Sequence, residues 1–221
     1  MASTQPDGTR KLILETAKNL LRRHGEDKMT VVDIARSLGM SHANVYRFFK
    51  NKSEILDAIT DEWLRKVESF VDAIAARTAP AADRIEAVVL ELHRKRRRKL
   101  IEDAAFFETY RRVAELRPEV IARRREKIWN VFQRLIQEGI DSGEFRAVDA
   151  AEVATVLKDA TALFLHPLMI PTAINEDSTG ERVSNVVRYI LAGFLGKGTK
   201  LPVRSATRRA GTKAKPPAGA T

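Results

Sequence analysis

Apolar side chains recur along this chain at intervals of three and four residues, and no stretch sustains the period-two alternation of a half-buried strand. The pattern predicts an all-α protein. Leu12, Ile13, Thr16, Ala17, Leu20 and Leu21 form one stripe of a first helix over about 9–24, with Gly25 as its stop. Thr30 is a good N-cap for a second helix over 31–38. Gly39 permits a tight left-handed turn, and Ser41 caps a third, short helix over 42–49. Lys50, Asn51 and Lys52 read as a turn and Ser53 as the cap of a fourth helix, followed by a long helix to about residue 78. Past Pro80, helical patterns cover about 82–99, 101–116, 118–139, 150–166 and 179–195, with 141–143 and 167–178 as loops.

The stretch from Thr30 to Lys52 has the logic of a helix-turn-helix. Val31, Ile34 and Ala35 give a small apolar face for a close crossing, Gly39 makes the turn, Met40 packs back, and Val45 with Phe48 or Phe49 buries the third helix. That leaves Ser41, His42, Ala43, Asn44, Tyr46 and Arg47 outward on a short rod of the size that enters the major groove of B-DNA. Thr30 and Lys52 stand at helix starts and turns, where phosphate contacts are usual. On spacing alone, an αα-hairpin with a solvated polar face fits equally well.

Charge changes this picture less than its size implies. The 221 residues carry a net charge of +10. Seven cations and no acid lie from Lys197 onward, so taking those seven from +10 leaves about +3 for the rest. The tail over 197–221 is rich in Gly, Pro, Ala and Thr and is expected to be disordered, as is 1–8. Residues 93–99 are a dense cationic run on a helix, expected as a solvated face paired with Glu102, Asp103, Glu108 and Glu115. A second DNA contact or an anionic inducer is its functional alternative.

Other classes fit poorly. There is no cysteine and only four histidines, which leaves little for a metal site, and no HExxH, GxSxG or phosphate loop points to catalysis. No cofactor, metal or catalytic residue is expected. No apolar run approaches the roughly 18 residues of a membrane span, and the polar N-terminus broken by Pro6 does not read as a signal peptide. The remaining rival is a basic helical nucleic-acid-binding protein of low specificity.

The run from Leu38 to Lys52, with Tyr46, Phe49, Lys50, Lys52 and Leu56 in place behind a helix carrying Ile13, Ala17, Leu20 and Leu21, resembles the tetracycline-repressor-like (TetR) regulators. The resemblance implies a homodimeric repressor in the cytoplasm, associated with the nucleoid and released from near-palindromic operator DNA by a small-molecule inducer. It implies that Ser41, His42, Ala43 and Arg47 face base edges with Asn44 close by, and that Thr30, Tyr46 and Lys52 fix phosphates. Phe48 departs from a histidine that the family often carries there. A three-helix DNA-binding domain is expected over 9–55. A larger bundle for ligand binding and dimerisation is expected over 56–196, pairing through helices at about 150–166 and 179–195. Val183, Val186, Val187, Ile190 and Phe194 are the candidate interface stripe, which could equally pack on the chain's own core. Phe106, Phe107, Tyr110, Trp129, Phe132, Phe164 and His166 are the candidate lining of the ligand chamber.

Overall fold

The computed structural model describes residues 6–173 and 179–195. Among these the chain is helical throughout: α1 (Pro6–Lys28), α2 (Val31–Ser37), α3 (His42–Tyr46), α4 (Lys52–Ala75), α5 (Ala81–Glu102), α6 (Ala104–Leu116), α7 (Pro118–Asp141), α8 (Ala150–Ala160), α9 (Ala162–Leu165), α10 (Ile170–Ala173) and α11 (Thr179–Ala192). The expected disorder over 1–8 is corrected in part, because α1 already starts at Pro6, where a missing amide hydrogen costs nothing. Residues 1–5 and the basic tail over 197–221 lie outside the described residues.

Local chemistry sets the boundaries near the N-terminus. Gly25, at φ 76° and ψ 169°, interrupts α1 before its last turn. Thr30 and Asp33 form a capping box at α2: the Thr30 hydroxyl accepts from the Asp33 amide at 3.1 Å and donates to the Asp33 carboxylate at 2.6 Å. Gly39 turns the chain at φ 63°, and Ser41 Oγ caps α3 by accepting from the Asn44 amide at 3.3 Å.

Several sequence expectations need correction. Asn51 caps α4, not Ser53: its Oδ1 accepts from the Glu54 amide at 2.9 Å, and the Glu54 carboxylate accepts from the Lys50 amide at 2.6 Å. The two helices expected over 53–78 are one continuous rod from Lys52 to Ala75, so residue 55 falls inside α4. The segment over 150–166 divides at Thr161, whose buried hydroxyl donates to the Leu157 carbonyl at 2.6 Å. Residues 170–173, expected as loop, form a helical turn.

The apolar stripes meet in two cores. One joins α1, α2, α3 and the start of α4 to α6, around Ile13, Ile34, Val45, Phe49, Ile59 and Phe107. The other surrounds α5, whose Ile85, Val88, Val89 and Leu92 face α4, α7, α9 and α11, with α8 packed on α7. Trp63 of α4 touches both cores, 5.6 Å from the Phe106 ring and 5.0 Å from that of Tyr110. Phe145 folds back over Gly139 and bridges to Leu195, which ties the α7–α8 loop to the end of α11.

Candidate DNA interface and ligand cavity

The first candidate site is the outer face of α3. Val45 and Phe49 are fully buried and anchor the helix on α1 and α2. Opposite them Ser41, His42, Ala43, Tyr46 and Arg47 are exposed, with Asn44 half-buried. The His42 and Tyr46 rings meet edge to face at 6.3 Å, one helical turn apart. Arg47 is the C-cap residue of α3, and its side chain is exposed.

Thr30 is exposed, but its hydroxyl proton is engaged with Asp33, and that bond holds the Asp33 carboxyl below its usual range. Lys52 is half-buried and donates its Nζ to the Glu26 carbonyl. Sequence reasoning takes both as outward-facing. The structure uses one in a cap and the other to fasten α4 to the entry of α2.

Glu26 and Asp27 connect this head to the rest of the molecule. The buried Thr109 hydroxyl of α6 donates to Glu26 at 3.0 Å, and Arg112 of α6 reaches Asp27 at 2.8 Å. The hydrogen bond from Arg112, followed by its charge, lowers the Asp27 carboxyl below its usual range. Arg117 pairs with Asp57 at 2.8 Å, and Arg124 with Asp61 at 2.7 Å and Glu68 at 2.6 Å. These contacts fix α4 along α6 and α7.

The second candidate site is a cavity of about 550 Å3 among α4, α5, α6, α7, α8 and α9. Tyr110, Trp129 and His166 lie on its wall. The other four expected lining residues do not. Phe106 and Phe107 belong to the head-side core, Phe132 packs 5.1 Å from the Trp129 ring, and Phe164 packs 6.1 Å from the His93 ring. Their positions on the apolar stripes turn them into the cores, where burial is most favourable. Arg96, Arg125 and Lys158 also line the cavity; Arg96 belongs to the cationic run over 93–99, whereas nothing in the sequence marks Arg125 or Lys158.

Arg96 and His93 had a signal: they continue the stripe of Ile85, Val88, Val89 and Leu92 at spacings of three and four. Residues 93–99 are therefore not one solvated face. His93 and Arg96 are buried, and His93 Nδ1 donates to the Phe164 carbonyl at 3.2 Å. The outward cations pair with Glu91, Glu102 and Asp103, whereas Glu108 and Glu115 pair with Arg111 and Arg112.

The expected dimer stripe is corrected in part, since Val186, Ile190 and Phe194 are only half-buried against the chain's own core. Val183 and Val187 are buried on α5 within the same chain, so the outward face of α11 carries Asn185, Tyr189 and Ala192 instead. Tyr189 is 81% exposed, and Val156 of α8 is a further exposed apolar group. No helix among the described residues is long and apolar enough to cross a membrane, and none of their side chains cluster as a metal site would.

Comparison with known proteins yields consistent matches. Residues 13–59 match the family described as bacterial regulatory proteins, tetR family, and 81–187 match a tetracyclin repressor-like C-terminal domain; together these exceed half of the chain. The chain is 29% identical over 163 residues to YfiR of Bacillus subtilis, an uncharacterized HTH-type transcriptional regulator, covering 66% of this chain and 71% of that one. A transcriptional regulator of the TetR/AcrR family from Thermobifida fusca superposes with a TM-score of 0.62 at 25% identity, over 84% of this chain and 97% of that one. SmeT, the repressor of the Stenotrophomonas maltophilia multidrug efflux pump SmeDEF, shares the fold with a TM-score of 0.64 at 21% identity, over 87% and 93% of the two chains.

Proposed function

Because the chain belongs to the TetR family of bacterial regulatory proteins, non-enzymatic DNA-binding repressors that act as dimers and are often ligand-responsive, we propose that it docks α3 in the major groove of an operator and leaves when a small molecule fills the cavity beside α6. The observation that carries this reading is the division of α3. Val45 and Phe49 are sealed inside, while His42, Ala43, Tyr46 and Arg47 face outward. A rod anchored in this way presents side chains to base edges without loosening its own core.

In this reading Ser41, His42, Ala43 and Arg47 face bases, with Asn44 beside them. Arg47 is the residue suited to a guanine, because its fork matches the O6 and N7 acceptors. Tyr46 contacts phosphate directly. Thr30 and Lys52 act through the helix starts they secure, where unpaired backbone amides favour anions. The DNA-reading unit is residues 9–55, with α4 as the shaft that joins it to the body.

A second copy of the chain covers α8 and α11. Val156 and Tyr189 supply the apolar contact, and Ala192 and Gly193 permit close approach. Two-fold symmetry then calls for a near-palindromic operator with half-sites about one helical turn apart, or a multiple of that. The protein would work in the cytoplasm, at the nucleoid where operators lie. Ligand contact at Tyr110 and movement of α6 share one element with the Thr109 and Arg112 links to the head. Occupancy of the cavity and DNA binding thereby oppose each other through a coupling free energy.

A fluorescence anisotropy titration on the upstream region of the protein's own gene, against random DNA of equal length, tests the reading. Specific binding at moderate salt is expected. Equal affinity for both duplexes would sink it in favour of low-specificity nucleic-acid binding.

A further inference from the structure

The inward stripe of α5 is apolar until Leu92 and then continues with a charge. Arg96 is only 7% exposed and lies on the cavity wall. Its Nε is buried without an acceptor, and among the described residues it makes no ion pair. Four of its neighbours on α5 are paired: Arg94 and Lys95 with Glu91, Arg98 with Glu102, and Lys99 with Asp103; Arg97 also has a buried Nε without an acceptor, but it is half-buried and lines the surface cleft on the other side of the helix. A guanidinium whose Nε is buried without an acceptor, and which has no counter-charge among the described residues, is unfavourably placed, so its position points to an anion that arrives from outside.

Two further observations concern the same wall. The Trp129 indole Nε1 is buried and also lacks an acceptor, which is unusual for a buried tryptophan. Arg125 and Lys158 stand around the same space, and Lys158 alone has an acid partner, Asp159 at 3.7 Å. The deep part of the wall therefore offers the Arg96 and Trp129 donors without an acceptor, while the acids on the lining, Glu126 and Asp159, are exposed. Leu64, Ile121, Ile128 and Leu165 give the wall an aliphatic stretch.

Resting on the reading of this cavity as the regulatory ligand site, we propose that its ligand is an organic monocarboxylate: the carboxylate pairs with the Arg96 guanidinium and accepts from the Trp129 indole, and an apolar body lies along the aliphatic wall. A planar carboxylate has two oxygens for the guanidinium fork and a lone pair left for the indole. One deeply buried cation matches one charge. A phosphate monoester brings nearly two charges, and the further cations, Arg125 and Lys158, are not deeply buried. The volume, about 550 Å3, suits a small amphipathic acid. His166 stays neutral before the acid arrives, because burial and the nearby Arg125 and Arg96 lower its pKa. Its Nδ1 accepts from the Leu168 amide at 3.4 Å, which leaves a proton on Nε2.

The test uses the full-length protein with decanoate, decanol and decyl phosphate as probes, read by isothermal titration and by thermal unfolding. Decanoate is expected to bind the wild type at least about ten-fold more tightly than decanol or decyl phosphate. Arg96→Met is expected to weaken decanoate by roughly 10- to 100-fold and leave decanol unchanged. The unliganded Arg96→Met protein should also melt at a higher temperature than wild type, since it no longer buries an unpaired charge.

The proposal is overturned if decanol or decyl phosphate binds as tightly as decanoate, if decanoate does not bind, or if Arg96→Met keeps its decanoate affinity. A lower melting temperature for unliganded Arg96→Met overturns it too, because Arg96 would then have a partner within the fold. Operator release is measured separately. Decanoate that binds through Arg96 without releasing DNA refutes the regulatory reading and leaves the ligand class standing. Neutral compounds that bind in the cavity and release DNA do the reverse.

Discussion

Arg112 of α6 and Asp27 in the last turn of α1 lie 2.8 Å apart, and the neighbouring Thr109 hydroxyl reaches Glu26 at 3.0 Å. Tyr110, next to Thr109 on α6, lines the cavity. One helix therefore touches both the ligand space and the base of the reading head. Replacing Thr109 by Val and Arg112 by Gln together should leave operator affinity without ligand within about two-fold, since the Arg112 pair is part-exposed and contributes little, and neither residue lies on the outer face of α3. The factor by which a cavity ligand weakens operator binding should fall toward one. Anisotropy titrations with and without decanoate measure it, and an unchanged factor would remove α6 from the coupling.

Arg47→Ala should weaken binding to the cognate operator by about 1–3 kcal/mol while sparing binding to scrambled DNA. Paired titrations on the two duplexes decide the matter. Equal losses would make Arg47 a phosphate contact.

Gly139 has no room for a side chain. A Cβ placed there would stand 2.2 Å from the Phe145 ring and 3.1 Å from Ala81 Cβ. Gly139→Ala should destabilise the fold by about 1–3 kcal/mol through overpacking. Adding Phe145→Leu should recover part of that loss, although Phe145→Leu by itself destabilises. Urea unfolding of the two single variants and the double variant gives the cycle, and strictly additive losses would contradict direct packing.

Acid should weaken the fold through its buried histidines. Burial first, then the charges of Arg97, Arg96 and Arg94, lower the pKa of His93 against the raising effect of its bond to the Phe164 carbonyl. His166 is lowered in the same way by burial, Arg125 and Arg96. The unfolded chain, with histidines near 6.5, then binds more protons than the folded one below that pH. The stabilisation is complete above about 6.5 and is lost as pH falls toward the depressed folded-state values. His93→Asn keeps a donor for Phe164 and should flatten the decline in unfolding free energy between neutral and mildly acid pH. An unchanged slope would mean that His93 titrates normally.

Deleting residues 197–221 removes seven cations. If they meet DNA, the slope of log K against log salt should flatten, by up to about 0.9 for each phosphate that the tail neutralises. A slope equal to that of the full chain would dismiss the tail.

Much of the architecture is legible in the sequence, because helix starts and turns are local chemistry. Thr30, Gly39 and Ser41 mark the helix-turn-helix through hydrogen bonds and a positive φ that need no distant partner. The inward faces of α2 and α3 follow from spacing in the same way, so the exposed rod opposite Val45 and Phe49 is determined before any tertiary contact forms.

What the tertiary structure decided is where polar and aromatic groups go once several stripes compete for one interior. Spacing cannot tell that Lys52 turns back to the Glu26 carbonyl, because that partner belongs to another helix. It does not separate Tyr110 and Trp129 on a cavity wall from Phe107 and Phe132 in solid core, since all four sit on inward stripes. Arg96 shows both sides. Its inward position follows from the helical period of α5, but that it faces a cavity without an ion-pair partner among the described residues depends on how α7, α8 and α9 close around it. Periodicity is a property of one helix, whereas a cavity and the charge within it belong to the packing of several.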